Sequence, residues 1–431
     1  MDYTQVLILV ISFIVFLSLR VPIAYSIGLA ALFTLVVSLP LLPALTTLAQ
    51  RMATSLDSFA LLAIPFFILA GQIMNRGGIA TRLIDFAKAI VGPLPGGLAF
   101  VNIMACMLFG AISGSAVAAA SAIGGFMNPM MEKEGYDKSF SAAVNITSAT
   151  TGLIIPPSNI LIIYSLASGG VSIAALFLAG YVPGILIGLA LMMVAAIYAY
   201  IKKYPTEKSV GIKIFFKRFI AALPSLLLLV IVIGGIVAGI FTATEASAIA
   251  VIYTFALAFA YKEITLNDVP SILLETVKTN AIVMLLIATS VAMSWVMSYE
   301  SIPQEISTGL LAISDNPVVI LIIINLILLF VGVFMDMTPA VLIFTPIFLP
   351  IVTDIGIDPI HFGVIMIMNL CIGLCTPPVG SVLFVGCGVA NLSIQKVVRP
   401  LLPLFLIMIA VLIIITYVPE LSLWLPRIFG F

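Results

Sequence analysis

Apolar runs of about twenty residues, separated by short polar joints, make up most of this sequence. The apolar positions do not alternate with polar ones, so the runs predict membrane-crossing helices rather than the strands of a barrel. Uninterrupted runs fall at 4–19, 22–43, 59–75, 172–200, 219–240, 243–261, 279–298 and 401–425. Four further regions are broken. Residues 139–168 and 361–390 each carry a double proline, Pro156-Pro157 and Pro377-Pro378. Proline removes a backbone donor and clashes with the preceding turn, so each pair predicts a helix unwound in mid-span. Carbonyls freed at that depth need a partner other than lipid, and a bound cation is the obvious one. Region 95–131 breaks near Ser113-Gly114-Ser115, and region 317–353 near Asp336–Pro339. The arm 338–353 has 16 residues. As a helix it is roughly 24 Å long, short of the ~30 Å hydrocarbon core. Both regions predict re-entrant helical hairpins whose tips stop near the midplane.

The broken regions repeat. An offset of 221 pairs Pro156 with Pro377, Pro157 with Pro378, Gly152 with Gly373, Gly135 with Gly356 and Asp137 with Asp358. It also pairs Pro129 with Pro350 and Ser172-Ile173 with Ser393-Ile394. Each half therefore reads as hairpin, short polar loop, broken helix and small-residue turn.

Basic residues then orient the halves, because cytoplasmic loops are enriched in Lys and Arg. Arg76, Arg82, Lys88, Lys133 and Lys138 flank the first hairpin. Lys202, Lys203, Lys208, Lys213, Lys217 and Arg218 form the most basic loop. Glu300, Glu305, Asp315, Asp354 and Asp358 flank the second hairpin, and no Lys or Arg lies between Lys278 and Lys396. This places hairpin one on the cytoplasmic side, hairpin two outside, and both termini outside. The expectation is ten full spans plus two hairpins. The segments are scaffold helices at 1–58, a first repeat at 59–200, a loop with scaffold helices at 201–278, and a second repeat at 279–431. The fold class expected is an all-α membrane protein with inverted repeats, two re-entrant hairpins and two broken helices.

Composition narrows the chemistry. The chain has 431 residues, 63% hydrophobic and 8% charged, with net charge zero. A neutral chain has no nucleic-acid footprint. His361 is the single histidine, so haem, zinc and histidine proton relays have little to build on. Cys106, Cys371, Cys375 and Cys387 sit in apolar runs and read as small apolar residues. The start, Met1-Asp2-Tyr3, has no basic n-region, so the first run reads as a retained span rather than a signal peptide.

Inverted repeats whose hairpin tips meet broken helices are the general design of secondary transporters. Such tips offer carbonyls and hydroxyls to sodium, with Ser113, Thr338 and Thr376 supplying hydroxyls, while half-helix N-termini face an anionic substrate. Asp336 reads as part of a sodium site or as a helix cap. Glu245 reads as a helix-dipole partner, and Asn145 and Asn325 as interhelical hydrogen-bonding residues. Gly124 and Gly125 read equally as packing glycines.

Five motifs carry a resemblance that spans essentially the whole chain. They are Phe109–Ser115 (FGAISGS), Gly152–Ser158 (GLIIPPS), Phe241–Ala246 (FTATEA), Gly356–Gly363 (GIDPIHFG) and Gly373–Gly380 (GLCTPPVG). Together they resemble the large membrane (M) subunit of tripartite ATP-independent periplasmic (TRAP) transporters. The resemblance implies sodium-driven uptake of an organic acid anion, of C4-dicarboxylate or sialic-acid type, by an elevator mechanism in a bacterial inner membrane. It implies a periplasmic substrate-binding protein and a separate small Q subunit as partners, and no cofactor beyond sodium as coupling ion. Carried onto this sequence, the first sodium site uses Gly110, Ser113, Gly152, Ile155 and Pro156. The second uses Gly332, Asp336, Gly373, Thr376 and Val379. Substrate lies near Ser115, Ser158, Asn159, Thr338, Pro339, Gly380 and Ser381. Three other readings compete. One is a stand-alone sodium/dicarboxylate symporter that needs no binding protein. Another is a membrane-embedded enzyme, for which a nucleophile with its base, or paired aspartates, is lacking. The third is a passive channel.

Overall fold

The computed structural model describes residues 4–204, 211–314 and 316–431. Lys208, Asp315 and residues 1–3 lie outside the described residues. Every regular element among the described residues is a helix.

α1 (Thr4–Ser18) and α2 (Ile23–Ser38) pack as a pair. The run expected at 22–43 stops at Ser38, because Pro40 starts a separate helix, α3 (Leu41–Ser55). α3 is amphipathic, with Ala44 and Leu48 buried. A short 3-10 turn (Phe59–Leu62) leads into α4 (Ala63–Arg76), and α5 (Ile79–Val91) follows with a second apolar face. α6 (Gly97–Ser113) and α7 (Ala116–Lys133) pack against each other across the link Gly114-Ser115. The first double-proline region is α8 (Lys138–Ala149), α9 (Thr151–Ile154) and α10 (Asn159–Ala167), bent by 51° at the break. Long helices follow: α11 (Ile173–Lys202), α12 (Ile212–Val237), α13 (Ala243–Ala260) and α14 (Val269–Tyr299). α15 (Ile302–Ile313) is short. α16 (Pro317–Phe334) and α17 (Met337–Asp354) meet at Met335-Asp336. α18 (Pro359–Gly373) and α19 (Ser381–Ala390) flank the second double proline. α20 (Ile394–Tyr417) and α21 (Glu420–Ile428) end the chain.

Among the described residues eight helices are long and apolar enough to cross a membrane, nine if the bent pair counts as one span. That is fewer than the ten spans expected, and several boundaries differ: α12 begins at Ile212 rather than 219 and α14 at Val269 rather than 279. The last run, 401–425, breaks at Val418-Pro419, so Trp424 belongs to α21 rather than to a span. α17 has 18 residues rather than 16, because Met337 and Asp354 extend the expected arm 338–353 by one residue at each end. Both arms α16 and α17 therefore reach about 27 Å, enough by length and composition to span. Finally, α3, α5, α15 and α21 are extra short helices with one apolar face, which a search for continuous apolar runs passes over.

Local chemistry repeats with the sequence. Gly135 and Gly356 close the turns before α8 and α18 at φ 85° and 84°. A side chain would be strained in that left-handed region. Asp137 then caps α8 by accepting from Phe140 N at 2.9 Å, and Asp358 caps α18 by accepting from Ile360 N at 2.7 Å. The two broken helices touch where they correspond. Cys371 Sγ donates to the Thr150 carbonyl at 3.5 Å, and these positions are 221 apart, the offset of the repeat. Cys375 Sγ reaches the Ile146 carbonyl at 3.4 Å.

Buried polar groups tie helices together. Asn145 Nδ2 donates to Ala120 O at 2.9 Å, joining α8 to α7. Asn369 Nδ2 donates to Asn325 Oδ1 at 2.6 Å, and Asn325 Nδ2 to Thr416 Oγ1 at 3.2 Å, joining α18, α16 and α20. Glu245 completes a capping box with Thr242 at the start of α13. His361 is buried, with Nε2 3.3 Å from the Thr416 carbonyl. Trp295 carries the Arg51 guanidinium 4.6 Å from its ring centroid.

Candidate functional site

The prolines decide which carbonyls are loose. In α9 the carbonyls of Gly152 and Leu153 would be met by the amides of residues 156 and 157, both prolines. Ser158 answers one of them: its Oγ donates to Leu153 O at 2.5 Å. In the second break Leu374 O, the counterpart of Leu153 O, instead receives Leu383 N at 3.3 Å. Ser158→Ala leaves the Leu153 carbonyl without its hydroxyl and should destabilise the protein by about 1–3 kcal/mol. A drop in the melting temperature of the purified protein checks this, and an unchanged one would show that the bond is dispensable.

Glycines bring each helix–helix link onto its broken helix. A Cβ on Gly110 would lie 2.6 Å from Gly152 Cα, and one on Gly332 would lie 3.0 Å from Gly373 Cα. The backbones of α6 and α9 are thus in direct contact, as are those of α16 and α18. Gly71 of α4 packs against the first link in the same way, since its Cβ would lie 2.8 Å from Ser113 O. Gly124 leaves room for the Asn145 carboxamide, whereas nothing lies within 4 Å of a Cβ on Gly125.

A cleft of about 230 Å³ opens where these pieces meet. From the first link come Ser113, Ser115 and Ala118; from the second come Asp336, Met337 and Thr338. Leu153 and Asn159 line it from one broken helix, Leu374 and Ser381 from the other. α4 adds Gln72 and Asn75, and α14 adds Thr279. Four helices begin on this cleft: α7, α10, α17 and α19. Their N-termini direct positive dipole ends toward it. Ser115 caps α7 by accepting from Ala118 N at 3.2 Å. Asp336, at the corresponding link, makes no capping hydrogen bond to α17. Its carboxylate opens into this cleft and into a second one, also of about 230 Å³, lined by Gly332, Val379 and Ser381. Ser113 is 5% exposed, and its buried Oγ has no hydrogen-bond partner among the described residues.

The residues expected for sodium fall around the two links. Gly110, Ser113 and Gly152 come together at the first; the Ile155 side chain packs against Gly184 of α11, with Pro156 next in the break. Gly332, Asp336, Gly373 and Val379 gather at the second. The Thr376 hydroxyl donates to Ile372 O at 2.8 Å, within its own turn. Of the residues expected for substrate, Ser115, Asn159, Thr338 and Ser381 line the first cleft. Ser158, Pro339 and Gly380 are not on its lining. Gln72, Asn75 and Thr279 escaped the sequence reading, because α4 and α14 belong to neither broken region and carry no motif there. For Gln72 and Asn75 the usable signal was two polar residues in the apolar stretch of α4; Thr279 lies in the polar stretch 275–280 of α14, which does not single it out. No group of three His, Cys, Asp or Glu side chains that could hold a metal occurs among the described residues.

Comparison with known proteins agrees with this architecture. The Alcanivorax borkumensis YdaH transporter has the same fold, with a TM-score of 0.68 at 12% identity, covering 89% of this chain and 90% of that one. The chain is 58% identical to the uncharacterized Salmonella typhimurium protein YgiK, over 99% of this chain and 98% of that protein. It is 41% identical to the Pseudomonas aeruginosa C4-dicarboxylate TRAP transporter large permease protein DctM, over 94% of each. It is 43% identical to the Oleidesulfovibrio alaskensis isethionate TRAP transporter permease protein DctMQ, over 96% of this chain and 65% of that longer one. The family model for the DctM component of tripartite ATP-independent periplasmic transporters matches residues 10–421. The chain therefore belongs to that family, as a multi-pass transporter permease subunit and not an enzyme.

Proposed function

We propose that this chain is the transport subunit of a sodium-coupled importer of an organic acid anion, fed by a periplasmic binding protein and paired with a small Q subunit. The observation that carries the reading is the cleft itself: two helix–helix links and two broken helices converge on four helix N-termini and one carboxylate. Sodium binds at Gly110, Ser113, Gly152, Ile155 and Pro156 and at Gly332, Asp336, Gly373, Thr376 and Val379. The anion takes the N-termini between them, against Ser115, Asn159, Thr338 and Ser381. The two repeats are inverted in the inner membrane, their helix pairs are re-entrant, and both termini face the periplasm. Ion pairs support one common side for two basic segments: Arg76 meets Glu275 at 2.8 Å and Arg82 meets Glu263 at 3.6 Å. The glycine contacts lock links and broken helices into one body, which moves past the scaffold helices as an elevator. The Q subunit is inferred from the fused name of the DctMQ relative, and the binding protein from the tripartite family.

The test is uptake of a labelled organic acid by proteoliposomes holding this chain and its Q subunit, with and without an inward sodium gradient and the binding protein. Uptake that requires both is the expected result. Uptake indifferent to sodium sinks the ion sites. Sodium-driven uptake without the binding protein makes the chain a stand-alone symporter.

A further inference from the structure

We infer that a cavity between the α17–α18 turn and α21 is a binding site for a phospholipid whose headgroup carries a phosphate and a primary ammonium together. The site lies apart from the clefts at the two links and does not depend on the sodium or substrate assignments.

The cavity measures about 610 Å³. Gly356, Asp358 and His361 form one side, and Glu420, Leu423 and Arg427 of α21 form the other. The first three belong to the GIDPIHFG motif, to which the transport reading gives no task. The cavity sits where spans end: α17 stops at Asp354 and α20 at Tyr417, and both are long and apolar enough to cross a membrane. α21 begins just beyond α20.

Along α21, Glu420, Leu423 and Arg427 recur at i, i+3 and i+7, so they share one face. Ser422, Leu423 and Pro426 are buried against the rest of the chain. Trp424 and Ile428, each one position past a cavity residue, are 55% and 59% exposed. An exposed apolar stripe therefore runs beside the charged face. That is the pattern of a helix at the lipid–water boundary, where tryptophan sits at headgroup level. A lipid seated here sets its headgroup against Glu420 and Arg427 and lays its acyl chains along Trp424 and Ile428.

Charge selects the headgroup. Asp358, Glu420 and Arg427 are the charged side chains of the lining among the described residues. Arg427 pairs with Glu420, whereas no cation pairs with Asp358 among the described residues. Asp358 spends Oδ1 on Ile360 N at 2.7 Å. One negative charge is left in excess, so a purely anionic headgroup is repelled. A primary ammonium brings three donors to the carboxylates, and a phosphate takes the guanidinium fork of Arg427. Choline carries the same charge but has no N–H to donate. The floor is polar as well: His361 is buried, and its Nδ1 has no hydrogen-bond partner among the described residues.

The test uses the purified, delipidated chain with its Q subunit in detergent. Its melting temperature is followed against phosphatidylethanolamine, phosphatidylcholine and phosphatidylglycerol of one acyl composition, and against free phosphoethanolamine. Phosphatidylethanolamine should stabilise it at the lowest concentration. Glu420→Gln and Arg427→Gln should each raise that half-saturating concentration about tenfold. Both should fold, because an exposed ion pair contributes little to stability. Equal stabilisation by phosphatidylcholine, or stronger stabilisation by phosphatidylglycerol, overturns the headgroup assignment. Unchanged half-saturation in both variants overturns the site. An equal response to free phosphoethanolamine overturns the lipid as occupant. So does the absence of any lipid response in a protein whose Arg427→Gln variant captures the binding protein less well, which makes this face a protein-docking surface.

Discussion

Asp336→Asn abolishes sodium-driven uptake, with an expected fall in initial rate of about a hundredfold. A carboxylate that neutralises a bound cation in a protein-lined cleft is worth about 3 kcal/mol or more when removed, which corresponds to that factor. The geometry singles out this residue. Asp336 opens onto both clefts at the link between α16 and α17 and spends no hydrogen bond on capping α17. The asparagine variant keeps size and shape, so it should fold. The measurement is uptake against sodium concentration in proteoliposomes. Glu245→Gln is the control: Glu245 belongs to an exposed capping box on α13, outside either cleft, and its variant should keep the wild-type sodium curve. If Asp336→Asn transports with the wild-type sodium dependence, the second ion site is elsewhere.

The second large effect is steric. Gly152→Ala drives a methyl group into the Gly110 backbone, and Gly373→Ala places one 2.5 Å from Gly332 Cα. In each case the obstacle is main chain, and the opposing residue is itself a glycine with no side chain to swing aside. Overpacking of this kind costs about 1–3 kcal/mol, and more where the backbone must shift. Both variants should show lower melting temperatures and lose most of their transport, because the link and the broken helix can no longer close. Gly125→Ala, with nothing within 4 Å, should be as stable as wild type or slightly more so. Wild-type melting of Gly152→Ala would refute the close contact.

What the sequence disclosed depended on how local the signal was. Double prolines announce a break wherever they stand, so both broken helices were legible from Pro156-Pro157 and Pro377-Pro378. Ser113-Gly114-Ser115 was equally plain as a link. Helix lengths were harder. The expected run 22–43 passes through Pro40, where the helix ends, whereas the expected arm 338–353 runs through Pro346 and Pro350, which α17 does carry. That difference is set by the packing around each residue, not by the residue alone. The scaffold side of the cleft was invisible for a related reason. Gln72, Asn75 and Thr279 gain their meaning only from Gly71 and the fold that brings α4 and α14 to the links. Ser158 shows the converse: its motif suggested a ligand-binding hydroxyl, yet its hydrogen bond goes to the adjacent Leu153 carbonyl.

The contact between Cys371 and Thr150 joins two positions that correspond in the two halves of the chain. In a homodimer, a residue on the two-fold axis faces its own copy, and every substitution there appears on both sides at once. A single polypeptide escapes that constraint. It places a thiol on one side of the crossing and a threonine carbonyl on the other. The same freedom lets it carry an aspartate at 336 where its counterpart, 221 residues earlier, is Ser115. Two identical subunits would have brought two carboxylates to one cavity; this chain, with Ser115 and Asp336 at the matching positions, brings one.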